Sequence, residues 1–282
     1  MCRLYGFRST TARKVECELI RAQNSLIAQS HLDERGESNP DGWGLGAYSD
    51  GEPCVDRQAA AAYESEAFRW AAARVHSCQV MAHVRRATIG NPGIQNTHPF
   101  EYGRWLLAHN GSVGAFPVIR PRMLEAMTLP HRQAIQGETD SEHVFHLLLS
   151  LHEQQPEMPL LEVLRHGLQQ VIDWSRGADP DSEIALNILW SNGEELVGAR
   201  LGRSLWFVAR EAVHPCEVCP GALHATKDSK IAYRAVVVAS EPLTTTEDWT
   251  AVPENSVFRI GSNAGLHIEA YSESRNAAQS PL

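Results

Sequence analysis

The sequence has no run of about 18 uncharged apolar residues, so a membrane-spanning helix is excluded on length. Its first residues show no apolar stretch ahead of a small-residue cleavage site, and a secretory signal peptide is therefore not expected. Basic residues are in the minority, because 25 Lys and Arg stand against 34 Asp and Glu and give a net charge of −9. General nucleic-acid binding needs a basic surface and is excluded as well. We expect neither a membrane nor a nucleic acid as a partner.

Cysteine is also scarce, with 6 residues in a chain of 282. That number is too small for a disulfide scaffold and favours a cytoplasmic protein in a reducing compartment. Hydrophobic residues make up 43% and charged residues 21% of the chain, as in ordinary folded proteins. A chain of this length buries most of its apolar surface without covalent or metal staples, so we expect no cofactor and no structural metal for folding.

Hydrophobic periodicity predicts an order of elements that lacks the βαβ alternation of a Rossmann sheet. Strands are predicted over residues 2–8, 44–48, 77–84, 104–109, 183–190, 194–201, 204–210, 231–240 and 256–260. Helices are predicted over residues 15–30, 60–75, 140–151 and 160–174. Two antiparallel sheets with helices outside satisfy this order, which indicates an α+β fold. One domain is predicted over residues 2–271, followed by a flexible polar tail over 272–282.

Cys2 follows the initiator methionine, and this position can give it a special chemistry. Methionine is generally trimmed before a small second residue, which would leave a thiol and a free α-amine on one residue. The thiolate can attack a carbonyl carbon while the amine, with a pKa of about 8, carries the proton. An incidental cysteine is the alternative, and the position alone does not decide between the two.

Four residues elsewhere in the chain suit acyl transfer on a substrate with an amino-acid head. Asn110 and Gly111 can supply a side-chain amide and a backbone N–H to an oxyanion. Arg85 can bind a carboxylate, and Asp140 can bind an ammonium group. Simpler alternatives stay open here: a surface cation for Arg85, a hairpin turn for Asn110-Gly111 and a helix N-cap for Asp140.

These residues lie in six short motifs, which together resemble a class II glutamine amidotransferase of the N-terminal-nucleophile hydrolase superfamily. The motifs, in family order, are Met1-Cys2-Arg3, NPDGWG (39–44), AHVRRAT (82–88), NTHPF (96–100), His109-Asn110-Gly111 and ETDSE (138–142). Each motif is weak alone, but six in order across residues 2–260 are specific. The chain most resembles the stand-alone subgroup that includes γ-glutamyl hydrolases of the ergothioneine pathway and of glutathione breakdown.

The resemblance implies a four-layer αββα sandwich of two antiparallel sheets flanked by helices. It implies that Cys2 is the nucleophile and that its α-amine serves as general base and acid. Asn110 and Gly111 would form the oxyanion hole. The predicted activity is cleavage of the side-chain amide of glutamine or of a γ-glutamyl compound through a γ-glutamyl thioester.

The resemblance also implies the residues of the glutamine pocket. Arg85 would bind the α-carboxylate and Asp140 the α-ammonium, while Thr88 and His98 would line the pocket. One departure is Arg86, where synthase-linked relatives usually carry Trp, so the acceptor of any transfer reaction stays open. An ammonia-supplying subunit of a separate synthase would use the same residues.

A second motif lies outside this set and suggests a different class of function. It is a C-x-x-C flanked by two histidines, formed by His214, Cys216, Cys219 and His224. Four such ligands can close a tetrahedral zinc site, although structural zinc sites usually draw their ligand pairs from separated segments. The alternative to an enzyme is therefore a non-catalytic, zinc-bound regulatory or partner-binding module, and the alternative for the motif is an ordinary loop.

Overall fold

Two antiparallel sheets stacked face to face form the centre of the protein. They are seen in a computed structural model that describes residues 2–211 and 233–271. The first sheet has the strand order β11 (Thr250–Ala251), β9 (Trp206–Glu211), β10 (Arg234–Ala239), β1 (Arg3–Lys14), β4 (His76–Arg85), β2 (Gly42–Ser49) and β3 (Glu52–Gln58). The second sheet has the order β13 (Leu266–Ala270), β12 (Ser256–Ile260), β8 (Leu196–Arg200), β7 (Ala185–Ser191), β6 (Trp105–Ser112) and β5 (Phe100–Tyr102).

Helices cover the outer face of each sheet. The first sheet carries α1 (Leu26–His31) and α2 (Glu66–Arg74), and the second carries α3 (Phe116–Ala126), α4 (Leu129–Ala134), α5 (Asp140–Gln154) and α6 (Leu160–Ala178). One apolar layer lies under each set of helices, and a third lies between the sheets. The predicted αββα sandwich is confirmed. Across the two described stretches, no helix has the length and apolar character that crossing a bilayer requires.

The alternation of side chains along the strands brings the motifs together. Leu4 of β1, Met81 of β4 and Leu106 of β6 all lie in the layer between the sheets. Because side chains two residues apart share a face of a sheet, Cys2, Arg85 and Asn110 belong to this same inner side. The β1–β4 register pairs Arg3 with Val84, so Cys2 and Arg85 meet at the same end of the sandwich.

The helix predicted over residues 15–30 is wrong as a continuous element. The structure has a π-helical turn over Cys17–Arg21, an extended Ala22 and then α1. Asn24 explains the break, because its backbone N–H donates to the Leu243 carbonyl at 3.0 Å and its amide donates to the Pro242 carbonyl at 2.9 Å. Contact with a distant segment thus overrides a helical hydrophobic pattern.

Two α-helices, α3 and α4, and four edge strands, β3, β5, β11 and β13, were not predicted. α3 and α4 contain Pro117, Pro121 and Pro130, which hide the helical pattern. Pro117 and Pro130 stand in the first turn, where proline is tolerated, while Pro121 lies inside α3. The short β13 pairs with β12 at an edge of the second sheet. The predicted zinc motif and the predicted tail lie outside the described residues.

Gly44 shows how closely β2 and the NTHPF segment (96–100) approach each other. A Cβ at this position of β2 would lie 2.0 Å from the carbonyl oxygen of His98, which is backbone and cannot move aside easily. In α6, a Cβ at Gly177 would meet nothing within 4 Å. Gly44 therefore allows the NTHPF segment to lie against the first sheet.

Gly44→Ala is expected to lower the free energy of unfolding by about 1–3 kcal/mol, because the methyl group overpacks a backbone contact. Gly177→Ala is the matched control and should be neutral or stabilising by up to about 1 kcal/mol, since alanine favours the helix. Urea denaturation of both variants measures the difference. Equal stability of the two variants would contradict the close approach at Gly44.

Candidate active site

The Cys2 sulfur lies against the backbone that follows β4. Its Sγ is 3.4 Å from the Arg86 nitrogen and 3.4 Å from the Arg86 carbonyl oxygen. Burial raises the pKa of the Cys2 thiol, and the Arg86 N–H and the Arg85 charge oppose this only in part. The protonated thiol is therefore favoured in the resting protein, and a nearby base is needed to make it a nucleophile.

Arg85 is buried beside the sulfur, with only 2% of its surface exposed, so the alternative of a surface cation is wrong. Its guanidinium donates to the carbonyls of residues 89–91 at 2.9–3.4 Å. Burial lowers the pKa of Arg85, while Cys2, Asp41 and Asp140 oppose that shift. The same three groups therefore lie close enough to Arg85 to interact with its charge. A guanidinium has five N–H donors, so donors remain for a bound carboxylate.

Asn110 and Gly111 lie inside β6, and the alternative of a hairpin turn is therefore wrong. The Asn110 amide faces the layer between the sheets and donates from Nδ2 to the Ser240 hydroxyl at 3.4 Å. A Cβ at Gly111 would lie 1.9 Å from the carbonyl oxygen of Ala185 on β7. Only glycine leaves room for that strand pairing, and the residue contributes backbone without a side chain.

Asp140 is the first residue of α5, and the helix cap is Thr139 instead, whose hydroxyl accepts from the Glu142 N–H at 3.2 Å. The Asp140 carboxylate is buried, with 4% exposed. Its oxygens accept from the N–H groups of Val113 and Ser141, both at 2.8 Å. These hydrogen bonds fix the orientation of the Asp140 carboxylate at the start of α5.

The two further pocket residues that the resemblance implies have different surroundings. His98 is buried, and its ring lies 4.2 Å from the ring of His83 and 4.6 Å from that of Phe100. Within the described residues, none of the ring nitrogens of His83 and His98 has a hydrogen-bond partner. Thr88 is exposed in the turn beyond Arg86. His98 is thus a buried ring that packs on His83 and Phe100, whereas Thr88 lies at the surface of the protein.

Arg3 was missed from the sequence although it stands next to Cys2. Its guanidinium donates to the Cys2 carbonyl at 3.0 Å and forms ion pairs with Asp33 at 2.8 Å and Glu241 at 2.5 Å. All three charged side chains are buried. Arg3 lies in the Met-Cys-Arg motif, but no local pattern connects it to Asp33 or Glu241.

Arg86 extends away from the sulfur that its backbone contacts. Its guanidinium lies 2.5 Å from the carboxylate of Glu37, and the two side chains are 41% and 36% exposed. Glu37 belongs to the turn that Asp33 organises by accepting from the Glu37 N–H at 3.0 Å. An ion pair therefore joins the segments after β4 and before β2 next to Cys2.

Solved structures show that this fold occurs in other proteins. A glutamine aminotransferase class-II domain protein from Silicibacter pomeroyi matches with a TM-score of 0.66, 23% identity, and coverage of 95% of this chain and 98% of that one. The glutamine phosphoribosylpyrophosphate amidotransferase from B. subtilis matches with a TM-score of 0.61 and 18% identity, over 96% of this chain and 50% of that one. The shared architecture is the N-terminal-nucleophile fold.

Sequence comparison identifies the family. Residues 1–281 match the class-II glutamine amidotransferases, and the protein belongs to this family of enzymes. The protein named probable glutamine amidotransferase DUG3 from Saccharomyces cerevisiae is 29% identical, over 92% of this chain and 82% of its own length. The gamma-glutamyl-hercynylcysteine sulfoxide hydrolase of Mycobacterium tuberculosis is 27% identical, over 92% and 93%. The resemblance drawn from the motifs is confirmed.

The buried histidine pair makes the stability of the protein depend on pH. Burial lowers the pKa of His83 to about 3 and that of His98 well below its usual range, so both rings stay neutral in the folded protein. In the unfolded chain each ring titrates at about 6.5, and below that pH the unfolded state binds more protons. The free energy of unfolding therefore decreases as the pH is lowered from about 6.5 to 3, by up to about 1.4 kcal/mol per pH unit for each ring.

His83→Leu should remove one ring's share of this slope. Urea denaturation of wild type and variant at several pH values between about 4.5 and 6.5 measures the two slopes. The comparison uses the slopes and not the absolute stabilities, since the substitution also changes packing. Parallel pH profiles would contradict the assignment of a neutral, buried His83.

Proposed function

We propose that the protein cleaves the side-chain amide of glutamine or of a γ-glutamyl compound with Cys2 as the nucleophile. The observation that carries the proposal is that Cys2, Arg85 and Asn110 share the inner side of the two sheets, while Asp140, at the start of α5, is close enough to interact with the Arg85 charge. Membership of the class-II glutamine amidotransferases supports it. So does the raised pKa of the partly buried Cys2 thiol, because such a group needs the built-in base that an N-terminal α-amine provides.

The first half of the reaction forms an acyl-enzyme. After removal of Met1, the α-amine of Cys2 takes the thiol proton, and Sγ forms a bond to the side-chain carbonyl carbon of the substrate. The resulting oxyanion accepts hydrogen bonds from the Asn110 amide and the Gly111 N–H. The ammonium of Cys2 then gives its proton to the leaving nitrogen, the carbon–nitrogen bond breaks, and a γ-glutamyl thioester remains.

The second half restores the enzyme. A water molecule, or an acceptor amine, attacks the thioester carbon and gives a proton to the α-amine. The carbon–sulfur bond breaks, the sulfur recovers a proton, and glutamate or a new γ-glutamyl amide leaves. With water as acceptor the protein is a hydrolase, and this is the outcome suggested by the hydrolase named among its relatives.

Arg85 and Asp140 provide the selectivity for a glutamyl head. Arg85 is a buried cation that suits the α-carboxylate, and Asp140 is a buried, oriented carboxylate that suits the α-ammonium. The resemblance adds Thr88 and His98 to the proposed pocket. The domain is proposed to extend over residues 2–271. The cytoplasmic location, the separate synthase partner and the zinc motif stay predictions from the sequence.

Cys2→Ala should abolish turnover of glutamine and of γ-glutamyl amides, because no other group in the proposed site can form the thioester. Release of ammonia or amine is the measurement, and the intact mass of the active wild-type preparation should show the loss of one methionine. Cys54→Ala is the matched control, since Cys54 is exposed on β3, and it should retain wild-type turnover. A Cys2→Ala variant with wild-type activity, or an active protein that retains Met1, would overturn the mechanism.

Arg85→Ala should weaken every substrate with a free glutamyl head by a similar factor. The loss of a charge-assisted pair to the α-carboxylate predicts a fall of about 10- to 100-fold in kcat/KM. The test is a panel of glutamine, glutathione and other γ-glutamyl amides. Arg74→Ala is the control, because Arg74 is an exposed arginine paired with Asp56 outside the proposed site. A panel in which only some members lose activity would contradict Arg85 as the common anchor.

A further inference from the structure

Ser240 connects the two sheets at the proposed active site. It directly follows β10, has no exposed surface, and donates its backbone N–H to the Leu4 carbonyl at 3.1 Å. Its hydroxyl oxygen accepts from the Leu4 N–H at 2.9 Å and lies 3.4 Å from Nδ2 of Asn110, which donates to it. One hydroxyl oxygen thus contacts the strand of the nucleophile and the side chain on the facing sheet.

These two contacts have direct consequences for an oxyanion donor. An asparagine amide can present either its oxygen or its NH₂ group to a neighbour, and only the NH₂ group stabilises an oxyanion. In the structure the NH₂ end of Asn110 lies toward the Ser240 oxygen, which also accepts from the Leu4 N–H. One amide hydrogen then points to Ser240, and the second remains for the substrate.

We infer that Ser240 is a positioning residue, which holds the Asn110 amide in the orientation and at the place that the oxyanion requires. The inference rests on the proposed function, since it gives Asn110 its role. Ser240 itself touches no reacting atom. The contact of 3.4 Å is long for a hydrogen bond. Ser240 therefore acts more by restricting the rotation of the amide than through a strong bond.

The connection to Leu4 sets the distance as well as the orientation. Leu4 is two residues beyond Cys2 on the same side of β1, and its N–H and C=O both bond to Ser240. Glu241, the next residue, holds Arg3, whose guanidinium donates to the Cys2 carbonyl. Residues 240–241 thereby fix the start of β1, next to Cys2. The Ser240 hydroxyl also contacts Asn110, so it holds the amide at a set distance from Cys2.

A double-mutant cycle tests the inference with glutamine or the best γ-glutamyl amide as substrate. Asn110→Ala should lower kcat by about 10²- to 10³-fold. Ser240→Ala should lower kcat by about 10-fold and leave KM within about 2-fold, since binding of the glutamyl head does not involve it. In the Asn110→Ala background, Ser240→Ala should have no further effect, because the group that it positions is gone.

Ser150→Ala is the matched control. Ser150 is also fully buried and accepts a backbone N–H, that of Thr128 at 3.1 Å, but it lies within α5 away from Asn110. It should lower the melting temperature as Ser240→Ala does and leave kcat unchanged. If Ser240→Ala does not stay folded at the assay temperature, Ser240→Cys fills the space with a weak acceptor and should show the same loss of kcat.

The outcomes separate the role of Ser240 from the proposed function. An active wild type with an unchanged kcat in Ser240→Ala, or a 10-fold loss that persists in the Asn110→Ala background, overturns the role of Ser240 alone. A wild type that turns over no member of the panel overturns the proposed function, and the role of Ser240 falls with it. A loss of kcat that disappears in the Asn110→Ala background supports the inference.

Discussion

The antiparallel register between β1 and β4 is the constraint on which the site depends. It sets Arg3 opposite Val84 and so places Cys2 at the end of the sheet where β4 runs out into Arg86. The same parity directs Cys2, Arg85 and Asn110 into the layer between the sheets. A shift of one residue would turn Cys2, if it occurred in β1, or Arg85, if it occurred in β4, to the helix-covered face. The chemistry proposed for the protein thus follows from a pairing of backbones.

Burial is the second element of the design. Burial raises the pKa of the Cys2 thiol. The buried Arg85 donates to backbone carbonyl oxygens, and the buried Asp140 accepts from two backbone N–H groups. Buried charges are expensive unless they are paired, and Arg3 meets this condition through Asp33 and Glu241. The site is therefore supported by polar contacts that are as buried as the apolar core around them.

The sequence allowed the layers to be predicted, and it singled out the proposed site residues, because both steps depend on local patterns. Strand periodicity located the strands that carry Arg85 and Asn110, and motif order indicated the family. The break at Ala22 and the contacts of Arg3 and Ser240 could not be predicted, since their partners lie far away in the chain. Ser240 is 236 residues from Leu4, and no local pattern reports such a pairing.

The position of β1 between β4 and β10 has a consequence for the order in which the protein folds. β1 pairs with β4, which comes later in the chain, and with β10, which comes later still. Until residues 234–241 have emerged, β1 has a vacant edge and the carbonyl and N–H of Leu4 have no Ser240 to meet. The pairing of the strand that follows Cys2 is thus completed only after residues 234–241 have been made, and the proposed site cannot form before then.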